Sequence, residues 1–282
     1  MPALIEQVTF QGLPAVAMTS ADGARAVVSL FGGQVLSWCP AHGEERLYLS
    51  DDARLDQSRA IRGGVPVCFP QFGALGKLPR HGFARQSLWT LRDQRCADDY
   101  AMLTLTLGDD ERSMALWPHA FELELSVALE GQRLDIELEV TNTGYASFAF
   151  TAALHTYVRV KEVENARLEG LYGHHYRDAN GGSDIIRDTG DCVVVDAPLD
   201  RIYHDVQRPL TLHDSGRGLH IVSEGFPDVV VWNPWETGCA QLDDMPESGF
   251  RRMLCIEAAA ARHKIEVDAD QSWYGRQTLI AL

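Results

Sequence analysis

The chain has 282 residues, 45% hydrophobic and 23% charged, and its 40 Asp and Glu against 25 Lys and Arg give a net charge of −15. That length and composition suit a globular protein with a large core, while the acidic balance argues against nucleic acid and anionic membranes as partners, since both need a basic face. No stretch is long and apolar enough for a membrane-spanning helix, and MPALIEQVTFQG at the start lacks a basic n-region, so a cytoplasmic protein is expected.

Strand signals dominate the chain in sequence order. Ala26–Leu30 and Val35–Trp38 are read as the first strands, followed by a long loop over 50–88. Within that loop RGGVPVCFPQFGALGKLPRHGFAR gathers Arg62, Lys77, Arg80, His81 and Arg85 in a segment too rich in Gly and Pro for a buried strand. Arginine forks bind phosphate and carboxylate, so a small anion is one explanation of this cluster. The other is a solvated loop whose arginines pair with Asp51, Asp52 or Asp56. Gly63-Gly64 is read as an unusual turn or a close approach of backbone to ligand.

Ala101–Leu107 is the next strand, and Asp109 to Leu116 is a short helix capped by Asp109 or Asp110 and stopped by Pro118. Phe121–Leu129 and Leu134–Val140 alternate apolar and polar residues around Glu130-Gly131-Gln132, which predicts an antiparallel hairpin with one wet face. Phe148–Leu154, Cys192–Val195, Leu219–Val222, Val229–Trp232, Leu254–Ala258 and Lys264–Val267 complete the predicted strands, with further loops at 160–190 and 233–250. Fixed-period repeats and linkers are absent, so residues 1–282 are read as one all-β domain, a sandwich of mainly antiparallel sheets with few short helices.

His155 ends the apolar run of FTAALHTYVRV and is either a satisfied core residue or a general acid. Glu257 lies inside MLCIEAAA, where a carboxylate is costly unless it is functional or paired, for example with Arg251 or Arg252. A His–Glu pair suits acid–base work on a sugar ring, one group taking a proton while the other supplies one. Asp200, in LDRIYHD, is a candidate acceptor for sugar hydroxyls or a salt-bridge partner of Arg201. Trp38, Trp232 and Trp235 are candidates to stack on a sugar face or to fill the core. His174 and His175 are adjacent and point opposite ways on an extended chain, which does not make a metal site. The six cysteines are scattered without a CxxC pair and are expected to be free thiols.

In order along the chain, GGQVLSW (32–38), RGGVPVCFPQFG (62–73), PRHGFAR (79–85), LWPHAFEL (116–123), LHTYVRV (154–160), LDRIY (199–203), VVWNPW (230–235) and RRMLCIEAA (251–259) together resemble the aldose 1-epimerase (mutarotase) superfamily, and more narrowly its hexose-6-phosphate mutarotase branch. The resemblance implies a galactose-mutarotase-like β-supersandwich and α/β anomer exchange of an aldohexose 6-phosphate, without metal or organic cofactor. It implies Glu257 as base on the anomeric hydroxyl, His155 as acid on the ring oxygen, and Arg62, His81, Arg85 and Asp200 as substrate-binding residues, while Arg80 is a further candidate that either contacts the phosphate or faces solvent. A monomer is expected. The chain departs from the pattern at Arg80, at the alanines after Glu257, and at QLDDMPESGF (241–250), where a lysine-bearing loop is usual. The alternatives are a mutarotase of unphosphorylated aldoses and a sugar-phosphate-binding protein without catalysis.

Overall fold

A computed structural model describes residues 2–182 and 184–282. The predicted hairpin is the clearest element. Phe121–Glu130 and Arg133–Asn142 pair from Phe121↔Asn142 to Glu130↔Arg133, around a two-residue turn. Phe121, Leu123, Leu125, Val127 and Leu129 face inward with Leu134, Ile136, Leu138 and Val140, as alternation at period two requires. The predicted short helix is Glu111–Leu116. Its cap is Asp110, which accepts the Ser113 N–H at 2.7 Å while the Ser113 hydroxyl accepts the Asp110 N–H at 2.8 Å.

Three sheets organise the described strands. A four-stranded meander runs Leu4–Phe10, Leu13–Thr19, Arg25–Ser29, Gln34–Cys39. The first eight-stranded sheet runs Arg167–Glu169, Leu210–Asp214, Arg217–Glu224, Ser272–Ala281, Arg133–Asn142, Phe121–Glu130, Ala101–Gly108, Thr90–Cys96. The second runs Ile185–Arg187, His175–Asp178, Leu199–Tyr203, Asp228–Asn233, Met253–Val267, Phe148–Leu154, Val67–Cys68, with Tyr157–Arg159 also paired to Met253–Val267. Their ladders are antiparallel, and the all-β expectation is met.

The second sheet carries the site, and apolar residues pack on both its faces. Leu199, Val229, Val231, Leu254, Ile256 and Ala258 belong to the main core. On the other face Ile202, Val230 and Ala259 join Cys68, Phe72 and Ala153 in a smaller apolar cluster. Two apolar faces erase alternation, so MLCIEAAA reads as a continuous run.

Several expectations are corrected. Leu254–Ala258 and Lys264–Val267 are parts of one strand, Met253–Val267. Cys192–Val195 is no strand: Val193 makes one isolated bridge to Leu168, and Val194 is exposed. The loop at 160–190 contains the three-residue strands Arg167–Glu169 and Ile185–Arg187 and the four-residue His175–Asp178, too short to show a period. Trp38 is fully buried in the core and stands away from the cavity described below. The Gly63-Gly64 turn is a close approach of backbone to backbone. A Cβ on Gly63 would lie 2.4 Å from the Tyr48 carbonyl oxygen and one on Gly64 2.1 Å from that of Val35, and both have positive φ.

Candidate active site

Strand register gathers the site. Asp200 pairs with Trp232, Trp232 with Cys255, Tyr157 with Cys255, and Val230 with Glu257. Directly paired residues share a face, as do residues two apart on one strand. Asp200, Ile202, Val230, Trp232, Tyr157, Cys255 and Glu257 therefore share one face of the second sheet. That face floors a cavity of about 920 Å³. His155 follows Phe148–Leu154 and is fixed by its N–H donating to the Pro66 carbonyl at 3.0 Å. Its ring stacks on Tyr157 at 4.8 Å and 12°, and meets Trp232 edge-on at 6.0 Å.

All seven site residues expected from sequence line this cavity: Arg62, Arg80, His81, Arg85, His155, Asp200 and Glu257. His155 Nε2 lies 3.4 Å from Glu257 Oε1, and Glu257 is only 1% exposed. Burial, then the charge of Asp200, pushes the Glu257 carboxyl well above its ordinary range. Burial, then the cations Arg85 and Arg62, pushes the His155 imidazole well below its own. Burial likewise raises Asp200. Among the described residues Glu257 Oε2 and His155 Nδ1 are buried without a hydrogen-bond partner. The opposed shifts of the pair, both led by burial, favour a proton on Glu257 and a neutral His155.

His81 is held in the left-handed region at φ 65°, an unusual conformation that needs support from its surroundings. Its N–H donates to the Gly73 carbonyl at 2.9 Å, and Gly82 beside it passes so close to Phe69 that a Cβ would lie 2.1 Å from the Phe69 carbonyl oxygen. His81 Nδ1 accepts the Gly73 N–H at 3.2 Å and lies 3.2 Å from the Cys68 thiol, which burial pushes up to about 12. With burial and nearby cations keeping the ring neutral, Nδ1 as acceptor leaves the proton on Nε2. Arg80 Nε stands 3.3 Å from that nitrogen. Two N–H groups cannot bond each other, and the backbone donor is the better fixed, so exposed Arg80 is the group free to turn away.

The paired-loop explanation of the cationic cluster fails in its particulars. Arg62 pairs with Asp244, Nε to Oδ1 at 3.0 Å, and its Nη1 donates to the Tyr157 hydroxyl at 3.1 Å. Arg59, not a cluster member, pairs with Asp243. Among the described residues Arg80 and Arg85 have no carboxylate partner; Arg85 donates Nη2 to the Arg80 carbonyl at 2.8 Å. Lys77 is exposed and does not line the cavity. Glu257 has no salt bridge to Arg251 or Arg252, since Arg251 pairs with Glu162 and Glu164. Arg201 faces Asp188 at 3.9 Å and leaves Asp200 to the cavity. Of the tryptophans only Trp232 lines it; Trp235 packs on Phe250.

Sequence reading missed Tyr157, Arg177, Asn180 and Gln241. Tyr157 was within reach, two positions past His155 on an extended chain. Arg177 lies on the four-residue strand His175–Asp178, too short to be recognised, and Asn180 in the turn that follows it.

A profile of the aldose 1-epimerase family matches residues 14–279. A Cenchrus ciliaris protein named "Putative glucose-6-phosphate 1-epimerase" is 35% identical over 97% of this chain and 86% of its own length. One of the same name from Salmonella typhimurium is 34% identical over 84% of this chain and 80% of its own. The crystal structure of "a putative mutarotase" from Salmonella typhimurium matches with a TM-score of 0.91 at 30% identity, covering 99% of this chain and 93% of that one.

Proposed function

The chain belongs to the aldose 1-epimerase family and is an isomerase of the mutarotase type, and from that premise we propose that it interconverts the α and β anomers of an aldohexose 6-phosphate such as glucose 6-phosphate. The observation that carries this reading is a buried His155–Glu257 pair at the floor of a cavity that also holds Arg62 and the carboxylate-free Arg80 and Arg85.

Ring opening needs one proton removed from O1 and one delivered to O5. Glu257 as carboxylate takes the O1 proton, His155 as imidazolium gives its proton to O5, and the C1–O5 bond breaks to leave a free aldehyde. Rotation about C1–C2 presents the other carbonyl face. O5 then adds to C1, returning its proton to His155, while Glu257 returns a proton to the new O1. The pair holds one proton throughout. Burial favours it on Glu257, the distribution after opening; the O1 hydroxyl and the Arg80 and Arg85 charges favour the carboxylate needed before opening. His81 offers Nε2–H to the sugar beside the reacting centre, and Asp200 accepts from its hydroxyls. Arg62, Arg80 and Arg85 form the phosphate end, and binding energy there holds C1 and O5 in register.

One shared proton gives a bell-shaped dependence of kcat/KM on pH. Activity falls in acid as the pair takes a second proton, and in alkali as it loses the last. Because Glu257 is raised, the alkaline limb belongs well above the ordinary carboxylate range. Asp200→Asn removes a negative charge that hinders ionisation of Glu257, so the carboxyl gives up its proton more readily and the alkaline limb moves to lower pH. Blank-corrected pH profiles of both proteins check this; a limb that stays put or moves upward in the variant contradicts the coupling.

A further inference from the structure

We propose that His155, Cys255 and Glu257 together form a binding site for a soft divalent metal ion such as Zn²⁺, and that metal held there excludes the sugar. The exclusion rests on the reading of His155 and Glu257 as the working pair; the metal site does not.

Cys255 has no task in ring opening. It is fully buried, its thiol makes no hydrogen bond among the described residues, and it stands two positions before Glu257 on the same face of the same strand. One ligand atom each from His155, Cys255 and Glu257 lie within 4.8 Å of one another. The 3.4 Å between His155 Nε2 and Glu257 Oε1 is long for a hydrogen bond. It is close to the edge, about 3.4 Å, of a tetrahedron whose Zn–N and Zn–O bonds are about 2.0–2.2 Å. Sulfur, at a bond length of about 2.3 Å, needs an edge of about 3.5 Å, so the three ligand atoms, which lie within 4.8 Å of one another, must draw together when the ion binds.

A second observation points the same way. Among the described residues Glu257 Oε2 is buried with no partner, in a carboxylate 1% exposed. Burying such an oxygen unpaired is costly, and a metal ion would satisfy it. The donor set is one thiolate, one imidazole and one carboxylate, which selects zinc-like ions over Mg²⁺ or Ca²⁺, whose sites are built from oxygen. Three protein ligands leave a fourth position, open towards the cavity through His155 and Glu257. As the S–metal bond forms, the Cys255 thiol passes its proton to water, and Glu257 releases any proton it holds; nothing is oxidised or reduced. The ion then occupies the space that O1 and O5 must enter.

The test adds Co²⁺ and Zn²⁺ separately to the whole protein. Co²⁺ is expected to bind one to one and give a thiolate-to-cobalt charge-transfer band in the near ultraviolet. Zn²⁺ is expected to inhibit anomer exchange competitively with hexose 6-phosphate. Cys255→Ala and the shape-preserving Cys255→Ser should keep wild-type turnover, lose the band and weaken zinc inhibition by at least the roughly 10–100-fold that loss of an outer-shell partner costs a metal site. Absence of the band in the wild-type protein, or unchanged zinc sensitivity in both variants, overturns the proposal. A wild-type band without inhibition upholds the metal site and overturns instead the placing of the reaction at His155 and Glu257.

Discussion

Glu257→Gln is expected to lower kcat/KM for anomer exchange of glucose 6-phosphate by roughly 10²–10⁴-fold, the usual worth of a positioned acid–base group. The amide matches the carboxyl in shape but cannot take the O1 proton. The fold is expected to survive, because Glu257 makes no salt bridge to an arginine or lysine and one of its oxygens already lacks a partner. Removing an ionisable group from a site 1% exposed relieves a burial cost. Thermal unfolding measured beside the kinetics separates the two effects: a Tm at or above that of the parent with activity lost identifies a chemical role. Full activity in this variant removes Glu257 as the base.

The second large effect concerns the arginines. Arg85→Ala is expected to reduce kcat/KM for glucose 6-phosphate by roughly 10–150-fold, the loss of one charge-assisted hydrogen bond of about 1.5–3 kcal/mol. Activity on free glucose should fall less, because the Arg85 charge that helps ionise Glu257 is lost for both sugars but the phosphate contact for only one. Arg85 is the clean position because no carboxylate is left behind; its fixed contact is to the Arg80 carbonyl. Arg62→Ala is less clean, since it strands Asp244, whose side chain is 6% exposed, and removing one partner of a buried pair destabilises strongly. Arg62→Lys keeps the charge and loses the fork, and is expected to show the same preference in smaller measure. Equal losses on phosphorylated and free sugar in Arg85→Ala contradict a phosphate role. Steady-state kinetics on both sugars, each corrected for spontaneous mutarotation, decides between them.

The hairpin is the clearest part of the fold in the sequence because one face of each strand is wet, whereas Phe148–Leu154 and Asp228–Asn233, buried on both faces, show only as apolar runs. Phe121–Glu130 and Arg133–Asn142 alternate because solvent lies on one side. Met253–Val267 reads as two pieces in the sequence because Arg262 and His263, exposed within it, interrupt the apolar run. Leu4–Phe10, Leu13–Thr19, Thr90–Cys96, Leu199–Tyr203, Leu210–Asp214 and Ser272–Ala281 went unassigned. Of these, Leu4–Phe10 and Thr90–Cys96 are edge strands with mostly exposed or half-buried residues, so little hydrophobic pattern marks them.

The site was more legible than the sheet that carries it, for a physical reason. Glu257 in MLCIEAAA and the arginines on an acidic chain are chemically out of place, and such misfits show without knowledge of register. What joins them is not local: His155 and Glu257 meet only because Phe148–Leu154 and Met253–Val267 are neighbours in the sheet, and Asp200 joins them through Trp232. Arg62's true partner, Asp244, is 182 positions away, beyond any reading of nearby Asp51, Asp52 or Asp56. The wider pattern of ordered motifs compensated for this, since a resemblance carries tertiary neighbours that spacing alone does not.

The most direct test of the central claim is anomer exchange followed by NMR with α- and β-glucose 6-phosphate, beside free glucose and galactose, each against a matched buffer blank. Exchange well above the blank and selective for the phosphorylated sugar is expected. Acceleration confined to the free sugars, or none above the blank with any of them, contradicts that claim.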